Sequence, residues 1–298
     1  MQIQYFGTAA AEGWPGLFCR CGVCERARQA GGKNLRTRSQ ALIDGKILVD
    51  FPADTYLHML RDGLDLPSIH TLILTHSHQD HWYPEDLAFR GEGFSHDIDG
   101  MLDIYGNDAC AARLRAILPI VGQGMMDAMQ ARYHEVTAFS PFTAEGYTIT
   151  PLRALHNRAE NCLIYLIEKD GKALLYANDT GLFPEDTWEY LRGRRLDLVS
   201  MDCTMQQVKE GTNHMGIEDN VELCARLKEL GCLHEGTKYV VTHFSHNGGL
   251  LHEELASLSG LSRVTVTRAL SRLAAEGKLR REYGAVRLLG AFLSPSAP

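Results

Sequence analysis

No run of 18 consecutive apolar residues occurs in this sequence, so nothing in it reads as a membrane-spanning helix. The N-terminus, MQIQYFGTAA, has no basic residues leading into an apolar segment, so it does not read as a secretory leader, and a cytoplasmic setting is the expectation. Internal repeats are lacking, and low complexity is confined to the tail SPSAP. Positive charge is in deficit: the net charge of -7 argues against wholesale coating of nucleic acid. What is present is ordinary in bulk. The 298 residues are 45% hydrophobic and 22% charged, enough for one large core with room for a small extra module.

Short β-type runs recur along the chain: IQYFGT, ALIDGKILVDF, TLILTH, LDIYG, YTITPLRAL, NCLIYLIEKDGKALLYAND, LDLVSMD and TKYVVTHF. Turn signals at Asp44-Gly45 and across KDGK (Lys169 to Lys172) pair some of them into hairpins. Helical patterns fall between: ADTYLHMLRDG, ACAARLRAIL, PEDTWEYLRG and IEDNVELCARLKELG. Asp54 and Asp186 stand near helix starts, and Gly231 near a helix stop. Hairpins mixed with crossover helices predict α/β layers with helices outside a β core.

The chemistry concentrates in TLILTHSHQDHW. An apolar strand ends at Thr75, and His76, His78, Asp80 and His81 follow within six positions. The i, i+2 spacing lets two imidazoles converge from extended backbone, while Asp80 and His81 turn to the other side. Imidazole and carboxylate suit zinc, manganese or iron in a hydrolytic site. One such cluster also suits a solvated polar turn. Single ligand-type residues recur at other strand ends, however: His156 in TPLRALH, Asp179 in LLYANDTG, His243 in VVTHFSH.

From residue 1 to about 250 this pattern resembles the metallo-β-lactamase-fold hydrolases: HxHxDH, a later His, an Asp in YANDTG and a final His, in that order. The resemblance implies a four-layer αββα sandwich with a pair of metals at one edge. Metal one would take His76, His78 and His156; metal two would take Asp80, His81 and His243; Asp179 would bridge them. Asp80 would also take part in the chemistry. Two cations about 3.5–4 Å apart lower the pKa of a shared water and neutralise charge on the attacked centre. Relatives of this kind run on zinc or on manganese.

Eight cysteines divide in two. Cys110, Cys162, Cys203, Cys224 and Cys232 sit among apolar neighbours and read as buried free thiols. Cys19, Cys21 and Cys24, packed as FCRCGVC, suggest a metal more than a disulfide. Three soft ligands need a fourth, and His246, three residues after His243, is the attractive partner. Here the likeness narrows to the phosphoribosyl cyclic phosphate phosphodiesterase branch. That branch implies one structural Cys3His zinc, on Cys19, Cys21, Cys24 and His246.

Hydrolysis also needs a proton for the leaving oxygen, and a histidine off the metals suits that task. His214, between a strand and a helix, is the expected acid; a helix-start histidine bonded to backbone is the alternative. Asp202 and Asp50 are expected to orient ligand histidines. Thr75 and Thr242 precede ligands and finish strands. Residues 7–16, GTAAAEGWPG, lack a phosphate-loop lysine and read as a loop bordering the site. Residues 82–100 read as a cover over it, with Trp82, Tyr83, Arg90, Phe94 and His96 toward substrate, as do Asn157 and Arg158.

A small or cyclic phosphodiester is the expected substrate, partly by analogy. The lid residues depart from that branch, and nothing ties to a ribosyl ring. A tRNA-processing nuclease would want a long basic arm, which is lacking. A lactone or thioester hydrolase would use the same metals with a neutral pocket.

Composition shifts after about residue 250, so residues 1–250 read as the hydrolase domain and 251–298 as a separate segment. The segment carries +3 and the remainder -10. HEELASLSG reads as a helix ending at Gly260; a second runs from Ser262 to about Ala275; LRREYGAVRLL reads as a β-hairpin wing. The order resembles the winged helix-turn-helix of Crp-type regulators, which would turn Arg263, Thr265 and Arg268 toward DNA. The competing readings are helices that cap the core or form a homodimer contact. Two classes of function therefore stand, a metal-dependent hydrolase and a ligand-sensing DNA-binding regulator. No expected metal ligand is missing, which favours the hydrolase.

Overall fold

A computed structural model describes residues 1–91, 93–121, 125–258, 279–282 and 285–288. Among them, two six-stranded sheets face each other. The first runs β1 (Ile3–Gly7), β2 (Gln40–Ile43), β3 (Ile47–Val49), β4 (Thr71–Ile73), β5 (Leu102–Gly106) and β6 (Ala131–Glu135), in that spatial order. The second holds β7 (Phe142–Ala144), β8 (Tyr147–Arg153), β9 (Leu163–Lys169), β10 (Lys172–Ala177), β11 (Leu198–Asp202) and β12 (Lys238–Thr242), ordered from β12 to β7. Hairpins open the first sheet, and β3 to β6 are parallel; β10, β11 and β12 are parallel in the second.

The near-continuous apolar runs are explained by burial on both strand faces. Along β9, Leu163, Tyr165 and Ile167 point between the sheets, while Ile164 and Leu166 point outward under helices. In β3, Ile47 and Val49 face inward and Leu48 outward. Each such aliphatic side chain contributes roughly 1.5–3 kcal/mol by leaving water. The helices α2 (Thr55–Asp62) and α3 (Asp108–Val121) belong to the first sheet's half, and α5 (Glu185–Leu191) and α6 (Ile217–Glu229) to the second. The result is the αββα sandwich. Helices α1 (Gly22–Ala30), α4 (Met125–Ala128) and α7 (His252–Leu258) are also present among the described residues.

The turn signals behave as their chemistry requires. Asp44 and Gly45 have φ of 48° and 71°, and Asp170 and Gly171 have 50° and 68°, the left-handed pair that a two-residue hairpin needs. Asp54 does precede α2, but its carboxylate bonds Arg38 instead of capping the helix. Asp186 lies inside the first turn of α5, and Gly231 follows α6 with φ of 73°.

β6 and β7 were not legible as strands, one being a polar edge strand and the other three residues long. α7 forms as expected, and β13 (Leu279–Glu282) pairs antiparallel with β14 (Ala285–Leu288) where the wing was expected. The second helix expected in that segment, with Ser262, Arg263, Thr265, Arg268 and Ala275, falls on residues outside the described ones. No helix among the described residues is long and apolar enough to cross a membrane.

Candidate metal centre

Strand ends deliver the polar residues to one edge of the sandwich. His76 and its neighbours follow β4, His156 follows β8, Asp179 follows β10, Asp202 ends β11 and His243 follows β12. His76, His78, His156 and Asp179 form one group whose ligand atoms lie within 4.8 Å of one another. Asp80, His81, Asp179 and His243 form a second with the same spread. Asp179 Oδ2 lies 3.2 Å from His76 Nε2, 3.1 Å from His81 Nε2 and 3.7 Å from His243 Nε2. His156 Nε2 is 3.1 Å from His78 Nδ1.

Hydrogen bonds behind the histidines fix which nitrogen faces the cluster. A carboxylate only accepts, so His81 Nδ1 donates to Asp50 Oδ2 at 2.7 Å and its Nε2 turns inward. Asp50 also accepts from the Thr75 amide at 2.8 Å. His243 Nδ1 lies 2.8 Å from Thr204 Oγ1 and 3.3 Å from Asp202 Oδ2, so its Nε2 also faces the cluster. Thr204 was not singled out from sequence. Its only signal is its place two residues past a strand-end aspartate.

The donor set fits divalent cations. It combines imidazole with carboxylate, as zinc or manganese requires. His76 Nε2 and Asp179 Oδ1 are buried, and the polar groups they meet are other members of the cluster, Asp179 Oδ2 for the first and the His214 and His156 rings for the second, as befits ligand atoms. His81 Nε2 and His243 Nε2 face each other at 3.2 Å. Asp50, Asp179 and His243 hold φ of 65°, 56° and 62°, a strained conformation for non-glycine residues that concentrates at working sites.

The electrostatics agree with tight coupling. Burial disfavours charge on His81, but Asp80 and Asp50 outweigh it and raise its pKa well above normal. Burial would raise Asp179, yet His243, His214 and His76 pull it well below the carboxylate range. His156 is pushed down to about 4 by burial. His214 Nδ1 lies 3.0 Å from Asp179 Oδ1 and 3.4 Å from Asp202 Oδ2. Burial lowers the His214 pKa, but bonds to those two carboxylates override it and carry it to about 10. His214 also comes within 4.8 Å of Asp179, Asp202 and His243 as a further cluster.

Cys19, Cys21, Cys24 and His246 form a separate group, again within 4.8 Å. His246 Nδ1 is 3.5 Å from Cys21 Sγ and 3.9 Å from Cys19 Sγ. All eight cysteines are free thiols. Cys21 is exposed, and its thiol is lowered to about 6, chiefly by the Cys24 backbone N–H. Burial pushes Cys24 up to about 12. Cys110, Cys162, Cys203 and Cys232 are buried as expected, and Cys224 is half-buried.

The cavity that the residues after His81 line contains none of the candidate metal ligands. Trp82 is fully buried and donates its indole N–H to Cys110 O at 3.0 Å. Tyr83, Arg90, Phe94 and His96 instead line a cavity of about 880 Å³ with Leu48 and Leu72, outward-facing residues of the first sheet. Asn157 does stay near, with Nδ2 3.4 Å from His78 Nε2.

Residues 46–244 match the beta-lactamase superfamily domain, two thirds of the chain. The chain belongs to that superfamily. A second match, to the Crp-like helix-turn-helix domain, covers residues 223–290. The two overlap over 223–244, which the structure builds into α6 and β12 of the superfamily fold.

No curated protein matches the chain in sequence. Among solved structures, a diphosphatase from the PhnP family superposes with a TM-score of 0.65 at 24% identity, over 86% of this chain and 90% of that one. Zinc-bound PqqB from Methylobacterium extorquens gives 0.58 at 18%, over 82% and 98%. The short form of human tRNase Z gives 0.58 at 16%, over 82% and 93%. Membership of this superfamily implies divalent metal binding.

Proposed function

We propose that this chain is a metal-dependent phosphodiesterase acting on a small or cyclic phosphodiester. The observation that carries it is the sharing of Asp179 between two ligand groups. His76, His78 and His156 would hold one zinc or manganese ion, Asp80, His81 and His243 the other, and Asp179 both. Two cations there would polarise a water for attack and neutralise charge growing on the phosphorus. Asp50 and Asp202 keep the imidazole lone pairs of His81 and His243 turned inward. His214, partly exposed with Nδ1 3.0 Å from Asp179 Oδ1, is the group that gives the leaving oxygen its proton. Cys19, Cys21, Cys24 and His246 hold a structural zinc, since four protein ligands leave no open position. The free thiols suit the cytoplasm.

Support for a phosphate ester comes from the similar structures, a diphosphatase and a tRNase Z. Screening the metal-loaded protein against bis-p-nitrophenyl phosphate, cyclic nucleotides and lactones tests the reading. Turnover of a phosphodiester that is lost in His76→Ala supports it; turnover of lactones alone sinks it.

The helix-turn-helix match favours a second reading, in which residues 251–298 bind DNA and residues 1–250 form the catalytic body. α7 joins the two: the His252 amide bonds Asn34 Oδ1 at 2.9 Å, and His252 Nδ1 lies 3.1 Å from Arg36 Nη2. DNA binding that weakens steeply with salt and survives His76→Ala would establish this reading.

A further inference from the structure

Glu160 lies in the loop between β8 and β9, four residues past His156. Its carboxylate reaches across to Ser77, the residue between His76 and His78. Oε1 accepts from the Ser77 amide at 2.7 Å and Oε2 from the Ser77 hydroxyl at 2.7 Å. Oε1 also accepts from Asn107 Nδ2 at 2.8 Å. Asn107 is itself held: its Oδ1 accepts from the Cys110 amide in α3 at 2.8 Å, and its Nδ2 also reaches Asn161 O at 2.8 Å. Arg113 of α3 donates to Ser77 O at 3.4 Å.

One carboxylate therefore ties together the HSH corner, the loop that carries His156, and the start of α3. Its ionised form suits the task, because three donors converge on two oxygens. Burial raises the Glu160 pKa, but the bonds from Asn107 and Ser77 outweigh it. An amide or hydroxyl in its place could not accept all three with equal strength. By contrast, the second group is braced by Asp50, Thr204 and Asp202, none of which touches Glu160.

We infer that Glu160 is a positioning residue for the first cation site alone, holding His76 and His78 at the spacing that His156 completes. The inference rests on the dinuclear reading above. Its effect is on metal affinity, not on chemistry. Outer carboxylates that orient ligands typically change affinity roughly ten- to hundredfold when removed.

Cobalt(II) titration of the full-length protein, with the cysteine site left filled by zinc and the two histidine groups emptied, followed by visible absorption with a competing chelator, gives the test. His156→Ala and His243→Ala assign the two binding steps to the first and second groups. Glu160→Ala should weaken the first step roughly ten- to hundredfold and leave the second unchanged. Ser77→Ala, which removes one of the three bonds, should fall between, and Glu160→Gln, which keeps the shape and one acceptor, should recover much of the loss. A general structural role would instead weaken both steps together and give no graded recovery, and that outcome overturns the inference. A wild-type protein that binds the pair while Glu160→Ala binds it equally well also overturns the inference and leaves the dinuclear reading standing. A wild-type protein with no paired steps overturns both.

Discussion

Asp50 Oδ2 lies 2.7 Å from His81 Nδ1, and neither side chain is exposed to solvent. The aspartate sits just past β3 with φ of 65°, so its strained backbone and its carboxylate serve the same contact. Asp50→Asn should fold, because asparagine tolerates the left-handed region. It would no longer offer two accepting oxygens, so the His81 ring loses its preferred tautomer. Affinity for the second cation should fall roughly ten- to hundredfold. Chelator competition on the folded variant checks this, and an unchanged second affinity would remove Asp50 from the site.

The cysteine group makes a separate claim about stoichiometry. Cys21→Ser should lower zinc content by about one ion per chain, while Cys110→Ser, in the core, should leave it unchanged. Elemental analysis after gel filtration measures both. If the metal count in Cys21→Ser equals that of the parent, the three thiols and His246 hold no ion.

Much of the centre was legible because its residues announce themselves locally. His76, His78, Asp80 and His81 crowd one strand end, and Asp179 and His243 each follow an apolar run that a sheet must carry to its edge. The residues that aim them were less so. Asp50 and Asp202 showed as strand-end acids, but Thr204 and Glu160 are ordinary loop residues whose partners lie 39 and 83 positions away. No periodicity marks a contact of that kind. Residues 82–100 show the opposite case. Their aromatic and basic side chains resemble a substrate cover, yet the Trp82 indole is buried in the core and Tyr83, Arg90, Phe94 and His96 line a cavity against the first sheet.

His214 is tested by separating turnover from metal content. His214→Asn should lower kcat by roughly 10²–10⁴-fold, with KM changed far less and both cations retained. Proximity to Asp179, Asp202 and His243 allows the competing role of ligand. A variant that loses a metal ion along with activity would assign His214 to that role and end its case as the acid.

Acid should unfold the protein partly through His58, which is far from the candidate ligands in function but joined to the same core. The ring is fully buried, with Nδ1 2.6 Å from Gln40 Oε1 and Nε2 2.8 Å from Thr37 Oγ1. The Gln40 amide nitrogen is already bonded to Asp50 O at 2.9 Å, so its oxygen is left to accept and His58 Nδ1 donates. In the neutral ring Nε2 then accepts from the Thr37 hydroxyl. Burial pushes the His58 pKa down to about 4, below the 6.5 of an unfolded histidine. The unfolded chain therefore binds the extra proton first. Stability is complete above pH 6.5 and is lost as pH falls toward 4, by on the order of 3 kcal/mol. Urea unfolding of the metal-free protein at pH 7.5, 6, 5 and 4 should show that slope, and His58→Gln should flatten it. A variant whose midpoint falls with acid as steeply as the parent's would show that other groups set the acid limit.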